Sequence, residues 1–274
     1  MPASVPAAPP TGTLIAWGGG DDERLLQWLY THCAGQPAGA SRAEIIVAAT
    51  PVHPLVTGRN YVASLRRLGF AAADVMHFAA RTPPDSPAHL RRLAAGDLVF
   101  FTGGDQERVT AALRGTQFLT MLHDRYHHAG LTIAGTSAGA AALAERMIVS
   151  GHGWRSLLSG RVRIEAGLGL APGAFLDTHF AERGRFARLA HAVLREPATL
   201  GVGLAEETGV IWQPGAETGG TKGHRFTVIG DEVVTVVDGS HSSAPGLETV
   251  PYNEPISGRD LRLHLLADGQ EFAW

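Results

Sequence analysis

Short apolar runs alternate with longer amphipathic stretches along the first half of the chain, and this alternation restricts the fold more than any other feature. Apolar runs of four or five residues are typical of buried strands, and the stretches between them have the spacing of helices. The predicted strands are Leu14–Trp17, Ile45–Ala49, Val75–Phe78, Leu98–Phe101 and Leu131–Ala134. The predicted helices are Asp22–Ala34, Val56–Leu68, His89–Ala95 and Phe118–His128. Strands that alternate with helices predict an α/β fold, with a mostly parallel sheet and helices on both of its faces.

The C-terminal part of the chain has a different pattern. Phe226–Ile229 and Val233–Val237 flank the dipeptide Gly-Asp, which predicts a β-hairpin, and Leu261–Leu266 predicts a final strand. The N-terminus is rich in Pro and Ala, and we expect residues 1–13 to be a disordered lead-in. Neither an internal repeat nor a linker divides the remainder, so one α/β domain over residues 14–274 is the simplest organisation.

The composition excludes several classes of function. The chain has 23 basic and 26 acidic side chains among 274 residues, so it lacks the basic footprint of a nucleic-acid-binding protein. Cys33 is the one cysteine, which excludes an internal disulfide framework and a cysteine-rich metal site. The sequence has no run of 18 apolar residues and no signal-peptide pattern, so we expect a cytoplasmic protein that does not associate with membranes.

The segment Leu131–Met147 combines a strand, a turn of small residues and an alanine-rich helix. Its turn, G-T-S-A-G at residues 135–139, has the spacing of a serine nucleophile on a sharp strand-to-helix elbow. Such a turn strains the serine backbone and tolerates only small neighbours, and the helix N-terminus beneath it supplies backbone amides. We therefore interpret Ser137 as a candidate nucleophile and the amide of Ala138 as an oxyanion donor. The alternative is a small-residue junction whose serine has no chemical role.

A serine nucleophile needs a base, and the base needs a carboxylate to orient it. His179 lies in the sequence F-L-D-T-H-F, after an apolar stretch and before a predicted helix, where a sheet presents catalytic groups. Glu206 and Glu207 follow the short run Gly201–Leu204 and occupy a similar position. From the pattern alone, a structural histidine and two solvated glutamates are also open interpretations.

Four motifs stand in order along nearly the whole chain. They are F-F-T-G-G-D-Q at residues 100–106, G-T-S-A-G-A at 135–140, D-T-H-F-A-E-R-G-R-F-A-R-L at 177–189 and G-V-G-L-A-E-E-T at 201–208. Together they resemble the motifs of cyanophycinases, serine peptidases related to the aspartyl dipeptidase family. The resemblance implies an α/β fold related to class I glutamine amidotransferases and hydrolysis of cyanophycin. This polymer is a poly-aspartate chain that carries arginine in isopeptide linkage, and the family releases β-Asp-Arg dipeptides from it.

The resemblance also implies roles for individual residues. Ser137 corresponds to the nucleophile, His179 to the general base and Glu206, rather than its neighbour Glu207, to the orienting carboxylate. The implied substrate contacts are Gln106, Asp177, Thr178, Arg183, Arg185 and Arg188. Arginines suit the carboxylates of such a polymer, and an aspartate suits its arginine groups. The resemblance implies a homodimer and requires neither a metal nor a cofactor.

The turn of Gly103 and Gly104 is a candidate for the second oxyanion amide, because a backbone without Cβ atoms can approach a substrate closely. An ordinary tight turn is the alternative interpretation. Two positions depart from the family pattern, since Thr178 stands where Gln is usual and Ala205 stands where Asp is usual. These departures leave the implied triad unchanged, and they bear on the substrate instead.

Other interpretations remain open. The same triad could serve a dipeptidase or isopeptidase that acts on a small β-aspartyl or other peptide substrate.

The sequence H-D-R-Y-H at residues 123–127 has the spacing of a helical zinc motif, with aspartate for glutamate and without an evident third ligand. A catalytically silent binding protein on the same scaffold is a further possibility. The three glycines at residues 18–20 precede three acidic residues that would repel phosphate, so we interpret them as a tight turn.

Overall fold

The computed structural model describes residues 11–33, 41–218, 221–244 and 247–274. Residues 1–10 of the predicted lead-in, and Ala34 at the end of one predicted helix, lie outside the described residues. The last part of the lead-in is held in place. The amides of Thr11 and Gly12 donate hydrogen bonds of 3.1 and 2.8 Å to the carbonyls of His127 and Tyr126. The lead-in therefore joins the folded domain before residue 13, earlier than the sequence predicted.

Strands and helices alternate through the first half of the chain, as the sequence predicted. The strands are β1 (Leu14–Trp17), β2 (Arg42–Ile46), β3 (Ala72–Met76), β4 (Leu98–Phe101), β5 (Thr132–Thr136), β6 (Arg146–Ile148), β7 (Ile164–Ala166), β8 (Ala174–Asp177), β9 (Leu200–Leu204), β10 (Thr208–Thr218), β11 (Thr221–Gly230), β12 (Val234–Asp238), β13 (Arg262–Leu266) and β14 (Glu271–Ala273). The α-helices are α1 (Glu23–Cys33), α2 (Pro54–Leu68), α3 (Pro87–Ala95), α4 (Gln106–Leu113), α5 (Gln117–His128), α6 (Ala138–Leu143) and α7 (Phe186–Arg195). Within these described ranges, no helix has the length and apolar character that a membrane crossing requires.

The larger sheet has eight strands in the order β3-β2-β4-β5-β1-β10-β11-β14. The five strands from β3 to β1 are parallel, and β1, β4 and β5 are buried along their whole length, which explains their continuous apolar runs. The other three strands are antiparallel to their neighbours. The sheet is therefore mixed, and the prediction of a mostly parallel sheet holds only for its first five strands.

A second sheet has the order β8-β9-β12-β13, in which β8 and β9 are parallel and the other pairs are antiparallel. The predicted C-terminal hairpin of Phe226–Ile229 with Val233–Val237 is wrong, because β11 belongs to the larger sheet and β12 to the second. Gly230 ends β11 so close to the backbone of Thr208 that a Cβ would not fit. The chain leaves the larger sheet at this point, and β11 pairs instead with β10, which the sequence did not predict.

The two faces of the larger sheet are covered in different ways. Helices α1 and α2 cover one face, where Leu25 and Leu65 join its core. On the other face, the second sheet shares a continuous core with the larger one, in which Leu176 and Val202 are fully buried. Helix α7 packs on the outer side of the second sheet through residues that include Leu189. One face of the larger sheet is thus covered partly by a sheet rather than by helices alone.

This layering brings the ends of five strands together. The carboxyl ends of β1, β4 and β5 meet at one edge of the larger sheet, because these strands are parallel. Strand β5 leads into Ser137, β4 into the turn of Gly103, and β1 into the glycines at 18–20. In the second sheet, the parallel strands β8 and β9 lead into His179 and Glu206. Residues from two different sheets therefore meet at one place.

Candidate active site

Ser137 lies on the sharp turn between β5 and α6. Its backbone has φ 52° and ψ -120°, a conformation that a non-glycine residue seldom adopts and that marks a strained functional position. The serine amide donates a hydrogen bond of 2.9 Å to the carbonyl of Trp17, at the end of β1. Small neighbours are required, because a Cβ on Gly139 would lie 2.3 Å from the carbonyl oxygen of Phe101. The turn therefore has the geometry that the spacing predicted.

His179 follows β8 and reaches the serine from the second sheet. The Ser137 hydroxyl donates a hydrogen bond of 2.7 Å to the Nε2 atom of His179. The histidine backbone is itself strained, at φ 46°, and its amide donates to the carbonyl of Gly18 at 2.9 Å. The serine and the histidine are thus both attached to the end of β1.

Glu206 orients the imidazole from its other side. The Nδ1 atom of His179 lies 2.6 Å from Oε1 of Glu206. Because an ionised carboxylate only accepts hydrogen bonds, Nδ1 carries the proton, and Nε2 of the neutral ring is free to accept the proton of Ser137. The His179 side chain is 12% exposed, whereas that of Glu206 is 37% exposed. This arrangement can remove a proton from the serine hydroxyl and return it to a leaving group.

The three glycines after β1 form part of this site, a role that the sequence analysis missed. A Cβ on Gly19 would lie 2.4 Å from Cε1 of the His179 ring, and a Cβ on Gly18 would lie 1.8 Å from the carbonyl oxygen of Ala205. A Cβ on Gly20 would lie 2.9 Å from Cβ of Glu206. We call residues 18–20 the glycine turn. Three consecutive glycines after a buried strand were the available signal, since they indicate a place where other backbone or side chains approach closely.

Two candidate oxyanion donors lie beside the serine. Ala138 is the first residue of α6, so its amide is one of those that a helix leaves without an internal acceptor. A Cβ on Gly103 would lie 3.4 Å from Cβ of Ser137, which brings this turn next to the nucleophile. Gly104 packs against the backbone of Ala49, and neither glycine amide has a hydrogen-bond acceptor in the part of the chain that the structure describes.

Three of the implied substrate contacts are buried. Asp177 is 1% exposed, Thr178 is 3% exposed and Arg188 is 6% exposed, so these side chains present almost no surface to a ligand. The Arg188 guanidinium forms a bidentate ion pair with the Asp177 carboxylate, in which Nε donates to Oδ2 at 2.8 Å. This burial does not favour direct contact with substrate, and the contacts implied for these three residues stay predictions. The pair joins the end of β8 to α7.

The other implied contacts keep accessible surface. Arg183 is exposed, and Gln106 and Arg185 are partly exposed. The Gln106 side chain donates to the carbonyl of Ile148 at 3.1 Å, and the Arg185 guanidinium donates to the carbonyl of Thr178. Burial, together with the neighbouring Arg188, lowers the pKa of Arg185 to about 10, so this side chain stays cationic at neutral pH. These three residues can still meet a ligand.

The candidate zinc motif on α5 has other contacts. Nε2 of His123 lies 2.8 Å from the carbonyl oxygen of Leu168, and the His123 ring stacks with the His127 ring at 6.1 Å between centroids. Among the described residues, no group of three His, Cys, Asp or Glu side chains could hold a metal ion together.

One family model and several named relatives match most of this chain. The model of peptidase family S51 matches residues 55–217. A cyanophycinase of Synechococcus elongatus is 36% identical over 260 residues, which cover 94% of this chain and 78% of the relative. A cyanophycinase of Nostoc sp. is 32% identical over 268 residues, which cover 97% of this chain and 87% of the relative.

Two solved structures share the fold at lower identity. A peptidase from an acI-B1 Actinobacterium is 18% identical, with a TM-score of 0.69, and the match covers 97% of this chain and 98% of the other. A putative peptidase E protein from Listeria monocytogenes is 15% identical, with a TM-score of 0.54, over 82% of this chain and 100% of the other.

Proposed function

Given that this chain belongs to peptidase family S51 and is a serine peptidase, we propose that it degrades cyanophycin and releases β-Asp-Arg dipeptides. The hydrogen-bond relay from Ser137 through His179 to Glu206 carries the proposal. Relatives named as cyanophycinases match nearly the full length of the chain, which supports the polymer as substrate. A dipeptidase that acts on a small isopeptide is not favoured, since the same relatives do not point to it.

The first chemical step forms a covalent ester. Oγ of Ser137 attacks an aspartyl carbonyl carbon of the polymer backbone, while Nε2 of His179 takes the hydroxyl proton. Glu206 stabilises the imidazolium that results, because its carboxylate already accepts the Nδ1 proton. When the tetrahedral intermediate collapses, the C–N bond breaks and His179 gives its proton to the leaving amine.

The second step reverses these roles with water. His179 removes a proton from a water molecule, the resulting oxygen attacks the ester carbon, and the bond to Oγ breaks as Ser137 regains its proton. In both steps the negative oxygen needs preorganised donors. The Ala138 amide at the start of α6 and an amide of the turn at Gly103 and Gly104 are the donors we propose.

Substrate recognition is proposed for the accessible polar residues near the triad. Arg183 and Arg185 suit the free carboxylates of the polymer, because a guanidinium binds a carboxylate with planar, bidentate geometry. Gln106 begins α4, two residues after Gly104 of the proposed oxyanion turn, and is the third proposed contact. The Asp177–Arg188 pair is assigned a positioning role instead, since both side chains are buried.

The test is incubation of the purified protein with insoluble cyanophycin, with the products identified by mass. We expect the wild-type protein to release β-Asp-Arg, and Ser137→Ala to lower the rate by about a thousandfold or more, since only binding and the oxyanion donors remain. Ser240→Ala is the control, because this serine lies on an exposed loop after β12. Near-wild-type release by Ser137→Ala would overturn the proposed nucleophile.

We also propose an oligomeric state, a cellular location and a fold relationship for this chain. The family resemblance supports a homodimer, a cytoplasmic location and a class I glutamine amidotransferase-like fold. The shared core of the two sheets supports a single domain over residues 14–274.

A further inference from the structure

Asp22 lies two residues after the glycine turn, directly before α1, and no step of the proposed mechanism uses it. Its carboxylate accepts a hydrogen bond of 2.7 Å from the Thr136 hydroxyl and one of 2.5 Å from the Tyr61 hydroxyl. Thr136 is buried and directly precedes Ser137. Asp22 therefore connects the segment after the glycine turn to the last residue of β5, and the hydrogen bond from Tyr61 connects the same carboxylate to α2.

The last residue of β1 holds the serine, and the glycine turn that follows it holds the histidine. The carbonyl of Trp17 accepts the amide proton of Ser137, and the carbonyl of Gly18 accepts that of His179. A Cβ on Gly19 would lie 2.4 Å from Cε1 of the imidazole ring. If the end of β1 and the glycine turn moved relative to β5, the distance between the serine hydroxyl and Nε2 would change.

The pKa of the Asp22 carboxyl is subject to opposing influences. Burial raises the pKa of the Asp22 carboxyl above its ordinary value, while the hydrogen bonds from Tyr61 and Thr136 and the neighbouring His179 oppose that rise. Burial also raises the pKa of the Tyr61 hydroxyl, so this group keeps its proton and donates. Asp22 lines a cavity of about 630 Å³ between α1 and α2, as does its exposed neighbour Asp21.

We propose that Asp22 is a positioning residue for the Ser137–His179 pair, because its carboxylate joins the segment that directly follows the glycine turn to Thr136 and so fixes the distance between the two reacting side chains. This inference rests on the proposed function, since it takes Ser137 as the nucleophile. The carboxylate does not touch the reacting atoms; it acts through the Thr136 hydroxyl and the backbone of the glycine turn.

The experiment measures two rates on each variant. The first is the kcat and KM for release of β-Asp-Arg. The second is the rate at which phenylmethylsulfonyl fluoride modifies Ser137, located by mass, because this small reagent needs no substrate contacts. In that reaction Oγ bonds to sulfur, fluoride leaves, and His179 accepts the proton. The variants are Asp22→Ala, Asp22→Asn, Thr136→Val, Thr136→Ser and the double variant Asp22→Ala/Thr136→Val, with melting temperatures recorded for each.

We expect Asp22→Ala to lower kcat and the modification rate together, by about tenfold to a hundredfold, with KM nearly unchanged. Thr136→Val should reproduce this loss. Thr136→Ser and Asp22→Asn should instead retain most of the wild-type kcat and modification rate, since each keeps a hydrogen bond between the two positions. The double variant should be no slower than the slower of the two single variants, because both substitutions break the same hydrogen bond. Asp21→Ala is the matched control, as it removes a neighbouring charge that does not contact Thr136.

The outcomes separate this inference from the proposed function. If wild-type Ser137 does not react with the reagent and no dipeptide is released, the proposed function fails and the inference fails with it. If the wild-type serine reacts and Asp22→Ala reacts equally fast, the inference alone is overturned. Additive losses in the double variant would also overturn it. If Asp22→Ala does not fold, the difference between Thr136→Val and Thr136→Ser decides the question.

Discussion

At the scale of single residues, three of the six described non-glycine residues with a positive φ lie where the triad forms. Ser137 and His179 both have positive φ angles, and so does Glu207, directly after the triad carboxylate. A strained residue persists only where the surrounding contacts hold it, and here those contacts run to the end of β1. The glycine turn is therefore as much a part of the site as the three side chains.

Gly19→Ala tests this role of the glycine turn. Its Cβ would lie 2.4 Å from the His179 ring, so we expect the imidazole to move and kcat to fall by about a hundredfold. At φ +104° alanine is also strained, which should cost about 1–2 kcal/mol of folding free energy. Steady-state kinetics and urea denaturation measure the two effects separately.

Gly115→Ala is the matched control for that variant. Gly115 also has a positive φ, +77°, but no atom lies within 4 Å of the place where its Cβ would be built. We expect a similar loss of stability with kcat unchanged. Equal activity of the two variants would show that the histidine does not depend on close contact with Gly19.

At the scale of elements, the ion pair between Asp177 and Arg188 joins β8 to α7. Arg188→Met would leave the Asp177 carboxylate buried without its bidentate partner, although Arg185 lies 3.5 Å away. We expect the free energy of unfolding to fall by about 3–5 kcal/mol, with a smaller change in KM. Thermal and urea denaturation, combined with steady-state kinetics, measure both quantities.

Two further variants test whether the unpaired buried charge of Asp177 causes the loss of stability. Asp177→Asn combined with Arg188→Met should recover part of the lost stability, because the buried charge is then removed as well. Arg183→Met removes an exposed arginine from the same segment and should leave stability nearly unchanged. A stable Arg188→Met with a strongly raised KM would instead favour the substrate contact that the family resemblance implies.

At the scale of the whole molecule, two sheets share one continuous core, and we expect the chain to unfold as one cooperative unit. The reactivity of Cys33, at the end of α1, tests this expectation. Burial raises the pKa of its thiol to about 11, so the thiol becomes reactive when the chain around it unfolds. At pH 8 about one thiol in a thousand would be ionised, so Ellman's reagent should react slowly with the native protein.

The measurement compares the urea midpoint for Cys33 reactivity with the midpoint for loss of far-ultraviolet circular dichroism. Coincident midpoints are expected for a single domain. Full reactivity well before the loss of secondary structure would show that α1 detaches on its own, and two separate dichroism transitions would contradict the single domain.

The sequence predicts a structural feature when all the residues that the feature needs are neighbours along the chain. The elbow at Ser137 needs only a buried strand, small neighbours and a helix, all within residues 131–147, so its spacing was sufficient. The partners of the serine come from the second sheet, and their approach depends on how two sheets pack. Bringing His179 and Glu206 to Ser137 from sequence therefore required a family resemblance.

The sequence by itself determined the alternation of strands and helices, the elbow and the candidates for base and acid, because each depends on neighbours along the chain. Only the tertiary structure decided that β11 and β12 lie in different sheets, since pairing depends on which strand edge is available. It also decided that Arg188 is buried while Arg183 is exposed, although both lie in one motif. Burial is set by the elements that pack against a residue, and a linear motif does not contain them.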